Sequence, residues 1–327
     1  GALSGAAMGV AAMMARTLLP GMLDRGYDAK MSTGAILAGA SLAPIIPPSV
    51  LVIIIGTLAN VSIAGMLIAG ILPGLMLATM FLIYTLGRVR FNPSLAPEDA
   101  ATSTVDVSLG EKLRAILRVM PFALIIFCVM GLILLGIATP SESAATGVVG
   151  SMITAAYYRK LNWKMISESL SSAAFIASMI LVIMASSKMF SQLLAFTGST
   201  RELTQVVAGL DLSAYLMLFI MMLIPFILCM FIDQIALMLV VIPIYQPLIK
   251  SLEFDPIWFW LLMLLNVTVG GMTPPFSYTI FAFKGATDRV SLQQIFSATW
   301  PFVAIFLLGM LVIAAFPPIA TFLPGFL

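Results

Sequence analysis

The chain has 327 residues, 61% of them hydrophobic and only 9% charged, with a formal net charge of +2, whereas a soluble domain carries about a quarter of its residues charged. Long uncharged apolar intervals separate short clusters of charge, which places the chain in a lipid bilayer. It contains no histidine, which excludes HExxH zinc sites, Ser-His-Asp triads and imidazole proton relays, and no basic stripe interleaved with aromatics points to nucleic acid.

The chain opens without Met inside an apolar stretch, Gly1-Ala2-Leu3-Ser4-Gly5, rather than with a basic n-region followed by a cleavage site, and reads as a fragment. Residues 1–23 are apolar with a small, polar interruption at Ser4-Gly5, as a re-entrant hairpin would need. Apolar runs of about 20 residues suffice to span a bilayer as helices. They are read at 36–57, 63–87, 119–138, 142–157, 170–196, 257–283 and 293–323. The polar stretch 91–111, rich in Pro, Ser, Thr and acidic residues, reads as a linker between two halves. Region 213–250 is apolar but interrupted by Asp233-Gln234, which suggests a second re-entrant hairpin. Cys128 and Cys229 both lie within apolar segments and read as small buried hydrophobes rather than a disulfide.

Loops 24–35, 88–118, 158–169 and 284–292 hold twelve of the 16 Lys/Arg residues, as cytoplasmic loops should. The alternation works only if 213–250 enters and leaves on one face. The resulting organisation is a first repeat over 1–87, truncated at its N-terminus, a cytoplasmic linker over 88–118, and a second repeat over 119–327.

Aligning Pro47-Pro48 with Pro274-Pro275 sets an offset of 227 residues, at which Pro20 meets Pro247, Tyr27 meets Phe254 and Asp28 meets Asp255. A spacing matched at this many places marks an internal repeat. The loop at 24–35 and its partner at 250–256 lie on opposite sides in the charge-based topology, so the repeat is inverted, a transporter signature. Each half interrupts a membrane span. Ser41-Leu42-Ala43-Pro44-Ile45-Ile46-Pro47-Pro48-Ser49 carries three prolines, and Asn266-Val267-Thr268-Val269-Gly270-Gly271-Met272-Thr273-Pro274-Pro275-Phe276-Ser277 repeats the device with glycines. Proline removes a donor and clashes with the preceding turn. The carbonyls so released need an ion, a side chain or water, and a sodium ion suits them.

Together these features resemble the large permease subunit of TRAP (tripartite ATP-independent periplasmic) transporters, the DctM-like family, within the wider ion-transporter superfamily. The resemblance covers essentially the whole chain. It is carried by Ser4-Gly5-Ala6, Gly26-Tyr27-Asp28, Ala43-Pro44-Ile45-Ile46-Pro47-Pro48-Ser49, Met230-Phe231-Ile232-Asp233 and Gly270-Gly271-Met272-Thr273-Pro274-Pro275. The family's first break usually carries Gly where this chain has Ala43, and its first tip more often reads Ser-Gly-Ser; carbonyl ligands survive both changes, a side-chain ligand at Ala6 does not.

The resemblance implies an all-α polytopic membrane protein: an inverted-repeat, elevator-type transporter with two re-entrant hairpins and two broken transmembrane helices, in the bacterial inner membrane. It implies sodium as coupling ion, an organic anion as substrate, and a small membrane subunit and a periplasmic substrate-binding protein as partners. On this reading Ser4, Gly5, Ser41, Ala43 and Ile45 form a first sodium site. Asp233, Thr268, Gly270, Met272 and Thr273 form a second, and Pro48, Ser49, Pro275 and Ser277 lie near the substrate. No cofactor besides sodium is expected.

Charge inside the hydrocarbon is expensive and marks function by default. Asp233 at the second tip is the leading candidate, either binding a cation or orienting the tip. Arg16 reads as snorkelling from a helix end to the cytoplasmic surface, with a clamp on a substrate carboxylate as the rival reading, and Lys188 stays unassigned between an ion pair and substrate contact. Rival readings are a single-component anion transporter of the same superfamily, a non-transporting assembly subunit, and an intramembrane aspartyl protease built on Asp28 and Asp233. Against the protease, Asp28 lies in a positive loop rather than a span, no Gly-x-Gly-Asp is present, and its repeat relation to Asp255 suggests a loop cap.

Overall fold

The computed structural model describes residues 7–97, 108–209 and 212–326. These residues are helical, with no strand among them. They cluster into two compact units, Gly1–Ser103 with Gly198–Leu327, and Thr104–Thr197.

In the first unit, α1 (Ala7–Thr17) and α2 (Leu19–Asp24) lead to α3 (Ala29–Ser41), whose start is fixed by Asp28: its Oδ1 accepts from Met31 N at 2.7 Å. After a break, α4 (Val50–Ala59) begins at Ser49, whose Oγ accepts from Val52 N, and ends on Asn60 in the left-handed region at φ 54. Helices α5 (Ile63–Ala69) and α6 (Ile71–Phe91) follow. The unit resumes with α10 (Ser199–Gly209), the helical hairpin α11 (Ala214–Cys229) and α12 (Gln234–Ser251), and α13 (Pro256–Gly270). Asp255 caps α13, accepting from Trp258 N at 2.8 Å, so the two aspartates paired by the 227-residue offset cap corresponding helices. A second break separates α13 from α14 (Tyr278–Ala286), and α15 (Leu292–Ala315) starts with a capping box between Ser291 and Gln294.

Both interruptions fall at the proline runs. The first occupies 42–49, and both Pro47-Pro48 and Pro274-Pro275 are cis. The second differs from its expected start: Asn266, Val267, Thr268 and Val269 are helical, and the chain leaves the helix only after Gly270. Pro274 is the first proline there, and its ring collides with the carbonyl four residues back, that of Gly270, so nothing obliges the helix to end sooner. Hydropathy also placed helix starts late. α7 (Leu109–Ile126) begins inside the stretch read as linker, because Ser108 and Glu111 form a capping box, and α9 (Trp163–Phe196) begins where Asn162 caps it.

Helix α13 is buried on every side from Trp258 to Gly270 and forms the centre of the unit. Around it the halves interlock. α1 packs on α14 and α3 on α15, while α12 packs on α4. One core joins Val10, Ala11, Ala15 and Leu19 of the first segment to Ile36 and Leu37 of α3, Ile280 and Phe283 of α14, and Ile295 of α15. Between membrane helices the gain from burying these side chains comes from close packing rather than from leaving water. The exposed pair Arg289–Asp24, 3.3 Å apart, adds little by comparison.

In the second unit, α7 (Leu109–Ile126) runs into a π-helical turn (Phe127–Gly131) and folds back as α8 (Pro140–Tyr157). Thr139 caps α8 in a capping box with Glu142. α9 (Trp163–Phe196) has 34 residues and is almost wholly exposed, Ser187 being its one buried residue. Among the described residues four helical stretches are long and apolar enough to cross a membrane: Ile63–Phe91, Trp163–Phe196, Gln234–Ser251 and Leu292–Ala315.

Candidate functional site

The breaks release main-chain oxygens at corresponding places. In a continuing α-helix Ile45 N would bind Ser41 O; here it turns to Leu42 O at 3.0 Å. Met272 N would likewise bind Thr268 O and turns instead to Val269 O at 3.1 Å. Ser41 and Thr268 are related by the 227-residue offset, both are buried, and in both the hydroxyl hydrogen goes to a preceding carbonyl, Ala38 O at 2.7 Å and Leu264 O at 2.7 Å. Each hydroxyl thus keeps oxygen lone pairs unused. Thr273 repeats this at the second break, donating to Val269 O at 2.6 Å. Partial negative charge collects where α3 and α13 end, so both termini favour a cation over an anion.

The tip of the α11–α12 hairpin lies against the second break. Two donors from it converge on one oxygen, Val267 O: Gln234 Nε2 at 2.9 Å and Cys229 Sγ at 3.0 Å. That oxygen also accepts from Gly271 N at 2.9 Å. Asn266 Nδ2 reaches back to Met222 O at 2.8 Å. Close approach requires the two glycines: a Cβ on Gly270 would meet Cys229 Cβ at 2.9 Å, and one on Gly271 would overlap the Tyr278 hydroxyl and lie 2.8 Å from Gln234 Nε2. The rings of Phe231 on the tip and Phe276 on the break stand 5.4 Å apart.

Of the residues expected at the second ion site, the structure thus gathers Thr268, Gly270, Met272 and Thr273 on the end of α13 and its break, with the tip that carries Asp233 against them. Asp233 itself is exposed and caps α12, its Oδ1 accepting from Ile235 N at 2.9 Å and Ala236 N at 3.3 Å. Ser277 is buried, donates to Gly271 O at 2.6 Å and caps α14; Pro275 is exposed. At the first break Ser41, Ala43, Ile45 and Ser49 are buried and Pro48 lies among them. The Ile45 carbonyl rests on Gly70, where a Cβ would overlap it. Ser4 and Gly5 lie outside the described residues.

Sequence reasoning missed Cys229 and Tyr278. Cys229 is buried as expected, yet it is also a donor to the break. The Tyr278 hydroxyl is buried without a hydrogen-bond partner, and the offset pairs Tyr278 with Leu51, so the repeat gave no signal for it. Gln234 was visible as a polar interruption, but its attachment to Val267 was not. Asp28 and Asp233 each accept from amides at a helix start.

Four apolar helices of spanning length among the described residues, with two shorter buried helices broken at proline runs, fit a multi-pass membrane protein. The family described as Tripartite ATP-independent periplasmic transporter, DctM component, matches residues 1–319, and the chain belongs to it. Among its relatives, the ectoine TRAP transporter large permease protein TeaC of Halomonas elongata is 31% identical over 99% of this chain and 74% of its own length. The C4-dicarboxylate TRAP transporter large permease protein DctM of Pseudomonas aeruginosa is 26% identical over 100% of this chain and 75% of its own. The sialic acid TRAP transporter permease protein SiaT of Haemophilus influenzae is 28% identical over 99% of this chain and 52% of its own. The protein is therefore a membrane transporter subunit and not an enzyme.

Proposed function

We propose that this chain is the permease subunit of a sodium-coupled importer in the bacterial inner membrane, moving an organic acid that a periplasmic binding protein delivers, and working with a small membrane subunit. The observation that carries the reading is the matched pair of bypassed carbonyls, Ser41 O and Thr268 O, at the ends of two helices broken at the same point of a repeat. A hard monovalent cation takes main-chain oxygens of this kind, and in transporters built on paired broken helices such ends coordinate the coupling ion. The first site comprises Ser4, Gly5, Ser41, Ala43 and Ile45, and the second Asp233, Thr268, Gly270, Met272 and Thr273. Pro48, Ser49, Pro275 and Ser277 lie next to the substrate.

Binding of sodium at the second site draws the α11–α12 tip onto the break, which completes the anion site and lets the transport unit move as an elevator. The inverted relation of the halves rests on the loop charges and on the matched packing of α1 on α14 and α12 on α4. Two relatives named for acids, a C4-dicarboxylate and sialic acid, support an organic acid as substrate. The test is uptake into liposomes holding the complete complex, with its binding protein and labelled substrate outside. An inward sodium gradient should drive accumulation and an equal potassium gradient should not; identical uptake in both would reject the coupling.

A further inference from the structure

The second unit contains a groove that the transport reading does not use. It runs between α7 and α8, has a volume of about 710 Å³, and is walled by Leu117, Leu124, Cys128, Val149, Ile153 and Tyr157 among others. Its apolar side chains face outward: Leu117 is 56%, Val149 56% and Ile153 63% exposed. The threonine hydroxyls in it are already committed, Thr146 Oγ1 to Cys128 O at 3.0 Å and Thr154 Oγ1 to Gly150 O at 2.8 Å, so most of the wall presents carbon.

One end of the groove is chemically different. Tyr157 and Tyr158 stand with ring centroids 5.3 Å apart, Trp163 is 81% exposed, and Arg159 and Lys160 follow directly and are exposed. Arg114 lies one turn before Leu117 at the same end and is exposed too. Exposed Tyr and Trp beside Lys and Arg mark the headgroup level of a bilayer. From Ala145 to Tyr157, both on the groove, α8 rises about 18 Å at 1.5 Å per residue, close to the ~15 Å of one leaflet's hydrocarbon.

We propose that this groove is a binding site for an anionic phospholipid of the cytoplasmic leaflet, with an acyl chain along Leu117, Val149 and Ile153 and the headgroup phosphate held by Arg114, Arg159 and Lys160. The charge at one end selects this occupant over a neutral lipid or a second protein helix, because anionic headgroups gain from each cation at the surface. The site does not depend on sodium coupling or on the substrate.

The test uses the full chain purified in detergent and stripped of lipid, with bound lipid read by native mass spectrometry after adding phosphatidylglycerol or phosphatidylcholine of the same acyl chains. The wild type should retain phosphatidylglycerol preferentially. Each cation removed should lower that preference about fivefold, so Arg159→Gln with Lys160→Gln should erase most of it. Val149→Trp, which fills the groove from an exposed position, should lower retention of both lipids. Thermal midpoints without lipid should match wild type, because all three side chains are exposed, and Arg114→Gln repeats the charge test from α7. Equal retention of the two lipids by the wild type would overturn the proposal. So would an unchanged preference in the charge variants, or displacement of phosphatidylglycerol by inorganic phosphate alone.

Discussion

Tyr278 sends its hydroxyl into a place where the protein offers it nothing to bind. A buried oxygen without a partner forfeits its hydration, about 1–3 kcal/mol, so Tyr278→Phe should leave thermal stability unchanged or raise it. A fall in the unfolding midpoint would show that water or an ion occupies that oxygen in the working protein. Gly271 reports on the same spot from the other side. Gly271→Ala forces a methyl group into the Tyr278 hydroxyl and to within 2.7 Å of its Cζ, an overpacking that costs about 1–3 kcal/mol. In a double-mutant cycle, Tyr278→Phe should recover part of that cost, since it removes the nearest atom but not the ring carbon; strict additivity would place the strain elsewhere. Gln234→Leu is milder than its burial suggests. Val267 O keeps Gly271 N and Cys229 Sγ as donors, so only the net worth of one hydrogen bond is lost, about 1 kcal/mol. Little of this was legible in the sequence. The glycines of the second break signalled a close backbone approach and Gln234 stood as a polar residue in an apolar run, but which side chains from two segments meet at one atom leaves no local sign.

At the scale of elements the sequence was more informative. Proline leaves few choices, so the first break was placed to within a residue, Ser41 being the last of α3, and the second was displaced only because Asn266, Thr268 and Gly270 can remain helical when no proline forces them out. The caps were half legible. Asp28 was read as a loop cap, while the starts at Ser108 and Asn162 were lost beneath hydropathy, which registers apolar content and not the hydrogen bond that begins a helix. The matched caps give a paired prediction. Asp28→Ala and Asp255→Ala each leave an amide at a helix start without its acceptor, and each should cost about 1 kcal/mol in denaturant unfolding. Unequal losses would show that the two helix starts, alike in sequence, are supported differently by their surroundings.

Across the whole molecule, composition sufficed for the membrane, because it is a sum over many residues. The interlocking of the halves was not legible, since contacts between segments far apart leave no periodic trace. If sodium binds the folded state, replacing it with potassium should lower the apparent unfolding free energy by about 2.7 kcal/mol when sodium stands at a hundred times its dissociation constant; the same midpoint in both salts would remove the ion from the account. The clasp of α1 on α14 also has a consequence for biosynthesis. Ile280 and Phe283, which share a core with Val10 and Ala11, are synthesised far later in the same chain. Helix α1 therefore waits for a distant partner, and closing so long a loop is slow. Until then that apolar face has only lipid, or whatever escorts the nascent chain, to cover it.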